Sequence, residues 1–239
     1  MSTKVVLISG GTRGIGAAMV TQFQALGWTV AATASSEGSR WECTPELKLI
    51  CDVRVPAQIR TAVKTTLATF GRIDALINNA GTAGSNPLES GTPDDLWNEI
   101  IDVNLHGTYH FCKAVMPILP DQTGRIINIG SVLSHKGVPD ASAYVTAKHA
   151  VLGLTRSLAH YLAPRQVTVN IICPGWTETD MARERMGEIG ITVEQLKKGV
   201  PLGRFVNPKE VADLAAYLAS PSASAITGQS FVIDGGVLA

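Results

Sequence analysis

The sequence shows no excess of charge of either sign: Lys plus Arg and Asp plus Glu both number 20, and the formal net charge is zero. Without a basic surplus there is no counterion-release drive toward nucleic acid and no pull toward an anionic membrane surface. Charged residues are scarce altogether, at 17% against 45% hydrophobic, which suits a protein with a large buried interior. The four cysteines, Cys43, Cys51, Cys112 and Cys173, form no CxxC pair and no metal-ligand spacing, so neither a disulfide scaffold nor a zinc module is expected. They read as reduced, mostly buried thiols of a cytoplasmic protein. No uncharged apolar run reaches the length of a bilayer span, and the N-terminal segment reads as a short strand after Lys4 rather than a signal peptide. No repeat, low-complexity tract or linker divides the chain, so 1–239 reads as one domain. His106 and His110 stand four apart on a helical pattern, but no HExxH or further ligand joins them, and no metal is expected. Ser131 lies in no GxSxG elbow, which argues against a Ser-His-Asp hydrolase.

Short β-branched, apolar runs alternate with longer helical patterns along the whole chain. Strands are expected at 4–9, 29–33, 47–51, 74–78, 125–130, 167–172 and 230–233, and helices at 14–26, 56–70, 93–119, 141–162 and 208–218. Runs such as Val5-Val6-Leu7-Ile8 and Ile126-Ile127-Asn128-Ile129 are apolar on both faces, as strands covered by helices on each side must be. Thr92-Pro93 and Asn207-Pro208 read as helix starts. The alternation predicts an α/β protein with a doubly wound, seven-stranded parallel sheet and helices on both faces, of the Rossmann type.

After the first strand comes Ser9-Gly10-Gly11-Thr12-Arg13-Gly14-Ile15-Gly16, which opens the first helix. Glycines there let the backbone turn tightly and approach a pyrophosphate, while the helix N-terminus offers free N–H groups to the anion. The spacing Gly10-xxx-Gly14-x-Gly16 resembles the TGxxxGxG turn of the short-chain dehydrogenase/reductase family, with Ser9 in place of the usual Thr. The resemblance covers nearly the whole chain. Asp52-Val53 is similar to the family's adenine-contacting pair and Asn78-Asn79-Ala80-Gly81 to its NNAG motif. Asn104, Ser131, Tyr144 and Lys148 match its catalytic tetrad, and Pro174-Gly175 with Thr177 its nicotinamide-side loop. Among its members, those of the 3-oxoacyl-acyl-carrier-protein reductase type look most similar.

The residues themselves carry part of this chemistry. Tyr144 and Lys148 are i and i+4 on a predicted helix, so phenol and ammonium share a face. A nearby cation is expected to lower the phenol pKa, letting Tyr144 serve as general acid or base. Ser131, at the C-terminal end of the fifth strand, would hold and polarise the substrate oxygen, with Ser134 and Ser142 as nearby competitors. The resemblance implies that Lys148 also bonds the nicotinamide ribose and that Asn104 holds a water relaying protons to it. An acid ending the second strand would bind a free ribose 2′-hydroxyl. The sequence instead has Ser35 and Ser36, no acid until Glu37, and Arg13 in the glycine turn, which favours NADP(H) over NAD(H). The cofactor contacts expected are therefore Gly10, Thr12, Arg13, Gly14, Ile15, Gly16, Ser35, Ser36, Asp52, Val53, Asn79, Ala80, Gly81, Tyr144, Lys148, Pro174, Gly175 and Thr177.

The expected activity interconverts a ketone or 3-oxoacyl group and its secondary alcohol, with a small-molecule or acyl-thioester substrate. The competing readings are an NAD-dependent alcohol or dihydrodiol dehydrogenase and a non-catalytic dinucleotide sensor, though a sensor should lack part of the tetrad. Residues 177–204 break the strand–helix rhythm and read either as a substrate lid or as a plain insertion. Arg183, Arg185, Lys197 and Lys198 there would meet an acidic carrier or a CoA, or form a solvated face. Trp176 either walls the substrate pocket or packs beneath the lid, and His135 either touches substrate or lies on a surface turn. The resemblance also implies a homotetramer built on the 93–119 and 141–162 helices and on the C-terminal segment, whose Gly235–Ala239 tail would otherwise be an exposed apolar patch.

Overall fold

The computed structural model describes residues 3–89 and 94–239. Strands β1 (Val5–Ser9), β2 (Thr29–Ala34), β3 (Leu47–Ile50), β4 (Ala75–Asn78), β5 (Arg125–Ile129), β6 (Thr168–Pro174) and β7 (Ser230–Ile233) form one sheet. Their order is β3-β2-β1-β4-β5-β6-β7, and every neighbouring pair is parallel. Each strand falls on an expected run. The helices are α1 (Gly14–Ala25), α2 (Pro56–Phe70), α3 (Asp95–Ile101), α4 (Gly107–Val115), α5 (Ser142–Leu162), α6 (Asp180–Ile189), α7 (Val193–Lys198) and α8 (Pro208–Ala219).

Alternation along β1 divides the interior into two layers. Val6 and Ile8 join one core with Met19 and Phe23 of α1 and Val211 and Ala215 of α8. Leu7, pointing the other way, joins a second core with Ile59 of α2, Phe111 of α4 and Leu162 of α5. Strand order reverses between β1 and β4, so the loops that follow these strands border the crevice where such sheets bind ligands.

Three features bear on the site, the first and third of them departures from the pattern read in the sequence. The helix expected over 93–119 is not continuous: α3 passes through a π-helical turn at Asp102–His106 into α4, and a 3₁₀ turn at Met116–Ile118 follows. Periodicity cannot register one widened turn, because the apolar stripe resumes beyond it. The start expected at Thr92-Pro93 lies outside the described residues, whereas Asn207 caps α8 as expected, accepting from Lys209 N at 2.8 Å. Second, β2 and β3 are joined by 35–46 with no helix between them. Trp41 and Cys43 of that segment pack against the α1–α8 core instead, and the Glu46 carboxylate accepts from Val30 N at 2.8 Å. Third, the C-terminal tail is no open apolar patch. Asp234 accepts from Gly236 N and Leu238 N, both at 2.8 Å, and Gly235 packs on Val200.

A buried polar row crosses the sheet beneath the crevice. Ser9, Asn78 and Asn128 occupy one register position of β1, β4 and β5. Asn78 Nδ2 donates to Asn128 Oδ1 at 2.8 Å, and Asn128 Nδ2 donates to Thr155 Oγ1 on α5 at 2.9 Å. Replacing Thr155 with Val keeps the shape and removes the acceptor, leaving Asn128 Nδ2 without its partner in the interior. Thr155→Val is expected to lower unfolding free energy by about 1–3 kcal/mol in a denaturant titration. An unchanged midpoint would mean that the row does not hold α5.

Candidate functional site

The glycine turn is built by steric necessity. Gly10 has φ +65°, and a Cβ there would lie 2.8 Å from Ala80 Cα; a Cβ on Gly16 would lie 2.1 Å from the Gly10 carbonyl oxygen. The turn is pinned to the segment after β4 from both sides. Ser9 Oγ accepts from Asn79 N and Ala80 N, each at 3.1 Å, and Asn79 Nδ2 donates to the carbonyls of Ser9 and Gly10 at 3.2 and 2.7 Å. The hydroxyl at Ser9 is therefore what this position needs, and Ser supplies it as Thr would. Arg13 gives α1 no side-chain cap, so the first-turn N–H groups are left for other acceptors. Glu42, from the helix-free segment 35–46, accepts from Gly14 N at 3.3 Å. The sequence reading missed this carboxylate because only the folded segment brings it to the turn.

A cleft of about 840 Å³ runs from this turn across the C-terminal edges of the strands. All the expected cofactor residues line it except Ser36, a correction to the sequence reading. The Ser36 hydroxyl lies 3.3 Å from that of Ser39, in a local turn, while Ser35 alone of the pair faces the cleft. Arg13 lines the cleft and reaches across to Asp180 of α6 at 3.4 Å. Asp52 also lines it, and Arg54 grips its carboxylate at 2.7 Å, holding it below the usual carboxylate range. The floor that glycine keeps open, the helix N-terminus beside it and the buried ammonium at the far end fit an extended phosphate-bearing dinucleotide.

At that far end the tetrad converges. Ser131 follows β5 and starts a 3₁₀ turn, its Oγ accepting from Leu133 N at 3.1 Å; its hydroxyl also hydrogen-bonds Tyr144. Lys148 Nζ lies 5.4 Å from the Tyr144 ring centroid and donates to the Ile129 carbonyl at 2.8 Å. Asn104 occupies the π turn. Its Nδ2 donates to Ile100 and Thr82 carbonyls at 2.9 and 2.8 Å, which leaves the buried Oδ1 without a partner among the described residues. A Cβ on Gly81 would lie 2.9 Å from that Oδ1 and 3.8 Å from Lys148 Nζ, so an acceptor and a donor look onto one point beside Gly81. An orphan acceptor in such a place calls for a bridging donor.

The electrostatics correct the sequence expectation. Burial pushes the Tyr144 phenol up to about 12; the Ser131 hydrogen bond pulls it down, and Cys173 adds to the rise. Lys148 is itself driven down to about 8 by burial, partly opposed by Cys173. Desolvation is the largest cause for both groups, because burial strips water from either charge. The phenol is thus a firmly protonated group in this structure rather than an acidified one.

Trp176 lines the cleft, and its ring lies 6.3 Å from that of Phe205, just beyond the 177–204 segment. His135 is not a lining residue and hydrogen-bonds Ser230 at 2.8 Å. His106 Nδ1 lies 2.8 Å from the Asp102 carboxylate, on the exposed side of the π turn. Arg183 pairs with Asp180 at 2.7 Å and Lys197 with Glu194 at 3.6 Å. Arg185 pairs with both Asp140 and Glu188 and is the basic residue of 177–204 that faces the cleft.

A family model described as enoyl-(acyl carrier protein) reductase matches residues 10–238. The 3-oxoacyl-[acyl-carrier-protein] reductase FabG of Salmonella typhimurium is 38% identical over 242 residues, covering 98% of this chain and 97% of that protein. Among solved structures, the ligand-free aldohexose dehydrogenase of Thermoplasma acidophilum superposes with a TM-score of 0.90 at 34% identity, covering 99% of this chain and 94% of the other. A variant of the actinorhodin polyketide ketoreductase with NADPH superposes with a TM-score of 0.89 at 32% identity, covering 99% of each chain. By sequence match along its length and by its sheet topology, the chain belongs to the short-chain dehydrogenase/reductase family of oxidoreductases.

Proposed function

We propose that the protein is an NADP(H)-dependent reductase that interconverts a ketone or 3-oxoacyl group and its secondary alcohol. The observation that carries this reading is the convergence of Ser131, Tyr144, Lys148 and Asn104 at the end of β5, beside a glycine-floored cleft. The reductase named for FabG and the NADPH complex of the actinorhodin ketoreductase support it. The glycine turn, Ser35, Asp52-Val53, Asn79 to Gly81, Lys148 and the 174–177 loop would hold the dinucleotide, which would supply or take the hydride.

The protein's own groups handle the proton. Ser131 Oγ hydrogen-bonds the substrate oxygen beside the Tyr144 hydroxyl and polarises the carbonyl. With its pKa near 12, the phenol stays protonated through the neutral range and releases its proton only to an oxygen that becomes strongly basic, as a carbonyl oxygen does when its carbon gains a hydride. Lys148, lowered to about 8, exchanges protons near neutrality, and Asn104 Oδ1 faces the point through which Tyr144 is resupplied. Residues 177–204, with α6 and α7, act as the substrate lid. Arg13 and Ser35 select the 2′-phosphate against Glu42, the acid placed at the turn. The proposed assembly is a homotetramer with two interfaces, one pairing α4 and α5, on which Tyr109 and Tyr161 are 42% and 71% exposed, and one made by the C-terminal segment 230–239.

Tyr144→Phe should lower turnover by about 10²–10⁴-fold while NADPH affinity stays close to the parent's, measured by steady-state kinetics and fluorescence titration. Most of the activity surviving would remove Tyr144 as the proton donor. Lys148→Ala should weaken NADPH binding as well. Since burial lowers the Lys148 pKa, its charge disappears as pH rises through about 8, and NADPH affinity should fall over that range in the parent but not in Lys148→Ala. NADPH should bind more tightly than NADH, and Ser35→Asp should reverse the order by repelling the 2′-phosphate; equal affinities in the parent would refute the cofactor assignment. Sedimentation at micromolar concentration should give a tetramer, and a monomer would refute the assembly.

A further inference from the structure

Helix α5 carries Tyr144 and Lys148, yet its first turn has no cap of its own. Ala141, the residue before the helix, has no side-chain acceptor to offer the free N–H groups there. The acceptor comes from a segment far away in sequence. Asn86 Oδ1 accepts from Ala143 N at 2.8 Å and from Ser142 Oγ at 2.9 Å. The first of these is the bond that an N-cap side chain makes to the second residue of its helix, supplied here across 57 residues of chain. The Asn86 backbone is fixed as well: its N–H donates to the Asp140 carbonyl at 2.8 Å, and it bridges Ala141 in parallel. Pro87 biases the residue before it toward the extended backbone that this bridge needs. Asn86 is 5% exposed and lies outside the cleft lining. The other end of the same short segment is at the site. The Thr82 carbonyl accepts from Asn104 Nδ2 at 2.8 Å, and Gly81 adjoins the point faced by Asn104 Oδ1 and Lys148 Nζ. Residues 81–86 thus run from that point to the helix turn that bears the phenol, hydrogen-bonded at each end.

We propose that Asn86 is a positioning residue for Tyr144: its amide oxygen fixes the first turn of α5 against 81–86 and so holds the phenol at its place beside Ser131. Tyr144 follows Ala143 directly, as the third residue of the helix. Farther along, α5 is anchored to the sheet by other bonds, from Lys148 to the Ile129 carbonyl and from Asn128 to Thr155. Losing the Asn86 acceptor therefore loosens the first turn and leaves the rest of the helix, Lys148 included, in place. A proton donor must meet the reacting oxygen within a narrow range of positions, and a displacement of about 1 Å can cost on the order of 10²-fold in rate. The glycine turn makes no contact with Asn86 and keeps its hold on the dinucleotide.

This inference rests on the reductase reading, and the test separates the two. With NADPH and a panel of 3-oxo esters and aryl ketones, Asn86→Ala should lower kcat about 10–100-fold per NADPH-binding site, while the NADPH Kd stays within about twofold of the parent's. Asn86→Asp keeps an oxygen acceptor of the kind a helix N-terminus favours and should bring kcat back to within about threefold of the parent's. A merely structural role would lower the number of NADPH-binding sites and the melting temperature without changing kcat per site, and that result overturns the proposal. So does an Asn86→Asp variant as slow as Asn86→Ala. Should Asn86→Ala fail to fold, Ser142→Ala removes one of the two donors to Oδ1 and should lower kcat per site in the same direction; an unchanged kcat there overturns the proposal. Hydrogen exchange over 142–145 reads the connection without turnover, with protection expected to drop in Asn86→Ala and return in Asn86→Asp. A parent that reduces none of the ketones removes the reductase reading. A parent that reduces them while Asn86→Ala keeps its kcat removes the role of Asn86 alone.

Discussion

A buried row of two amides and two hydroxyls joins the pieces from which the cleft is made. Asn78 on β4 and Asn128 on β5 exchange a hydrogen bond, and Asn128 passes a second to Thr155 on α5. Thr155 lies seven residues beyond Lys148 and eleven beyond Tyr144, so all three share one face of that helix. Ser9 occupies the matching position of β1 and turns its hydroxyl to the backbone after β4. In an interior this apolar, a slip of one residue between strands would put every member on the wrong face and strand its polar atoms at about 1–3 kcal/mol each. The row therefore fixes the register between the glycine turn, which is built to bind, and the helix that carries the phenol and ammonium.

Burial is also what sets the chemistry of that helix face. Lys148 is 4% exposed and satisfied by the Ile129 carbonyl, and Tyr144 shares its shielded surroundings. Both neutral forms are favoured over the charged ones, which moves the phenol up and the ammonium down. The two groups are thereby given different work. One holds a proton until a strong base appears; the other gains and loses one near neutrality. The widened turn at Asp102–His106 supplies the third party, since it frees the Asn104 side chain to reach the Thr82 carbonyl while aiming its Oδ1 toward Lys148. Part of that side chain is still spent on its own helix, at the Ile100 carbonyl, so it is the Oδ1 that is left for the site.

The sheet and most of the cleft were legible in the sequence because their requirements are local. Apolar runs of strand length, glycines where the backbone must touch Ala80 or the Gly10 carbonyl, and an i, i+4 Tyr–Lys pair each carry their reason in the residue type. What escaped depends on the folded path of the chain. The π turn leaves no mark on periodicity. Ser36 and Ser35 are indistinguishable in sequence, and only the turn with Ser39 separates them. Glu42 is brought to Gly14 by a connection that lacks the helix usual between parallel strands, so the acid at the turn is not the nearby Glu37. The direction of the Tyr144 shift was misjudged because a nearby cation is visible in sequence and the loss of water around both groups is not.

Helix α6 connects the two halves of the cleft, and its attachments are unequal. Asp180 at its start reaches Arg13 of the glycine turn at 3.4 Å, with both side chains about half exposed, while Arg185, little more than one turn later and 15% exposed, is shared by Asp140 and Glu188, themselves 35% and 41% exposed. Exposed pairs of the first kind contribute little, and Asp180 keeps Arg183 at 2.7 Å if it releases Arg13. The Arg185 guanidinium is the better shielded charge and loses more when a partner leaves, so it is the firmer of the two attachments. It ties α6 to Asp140, four residues before Tyr144, so the helix is held more tightly to the turn that leads into α5 than to the glycine turn.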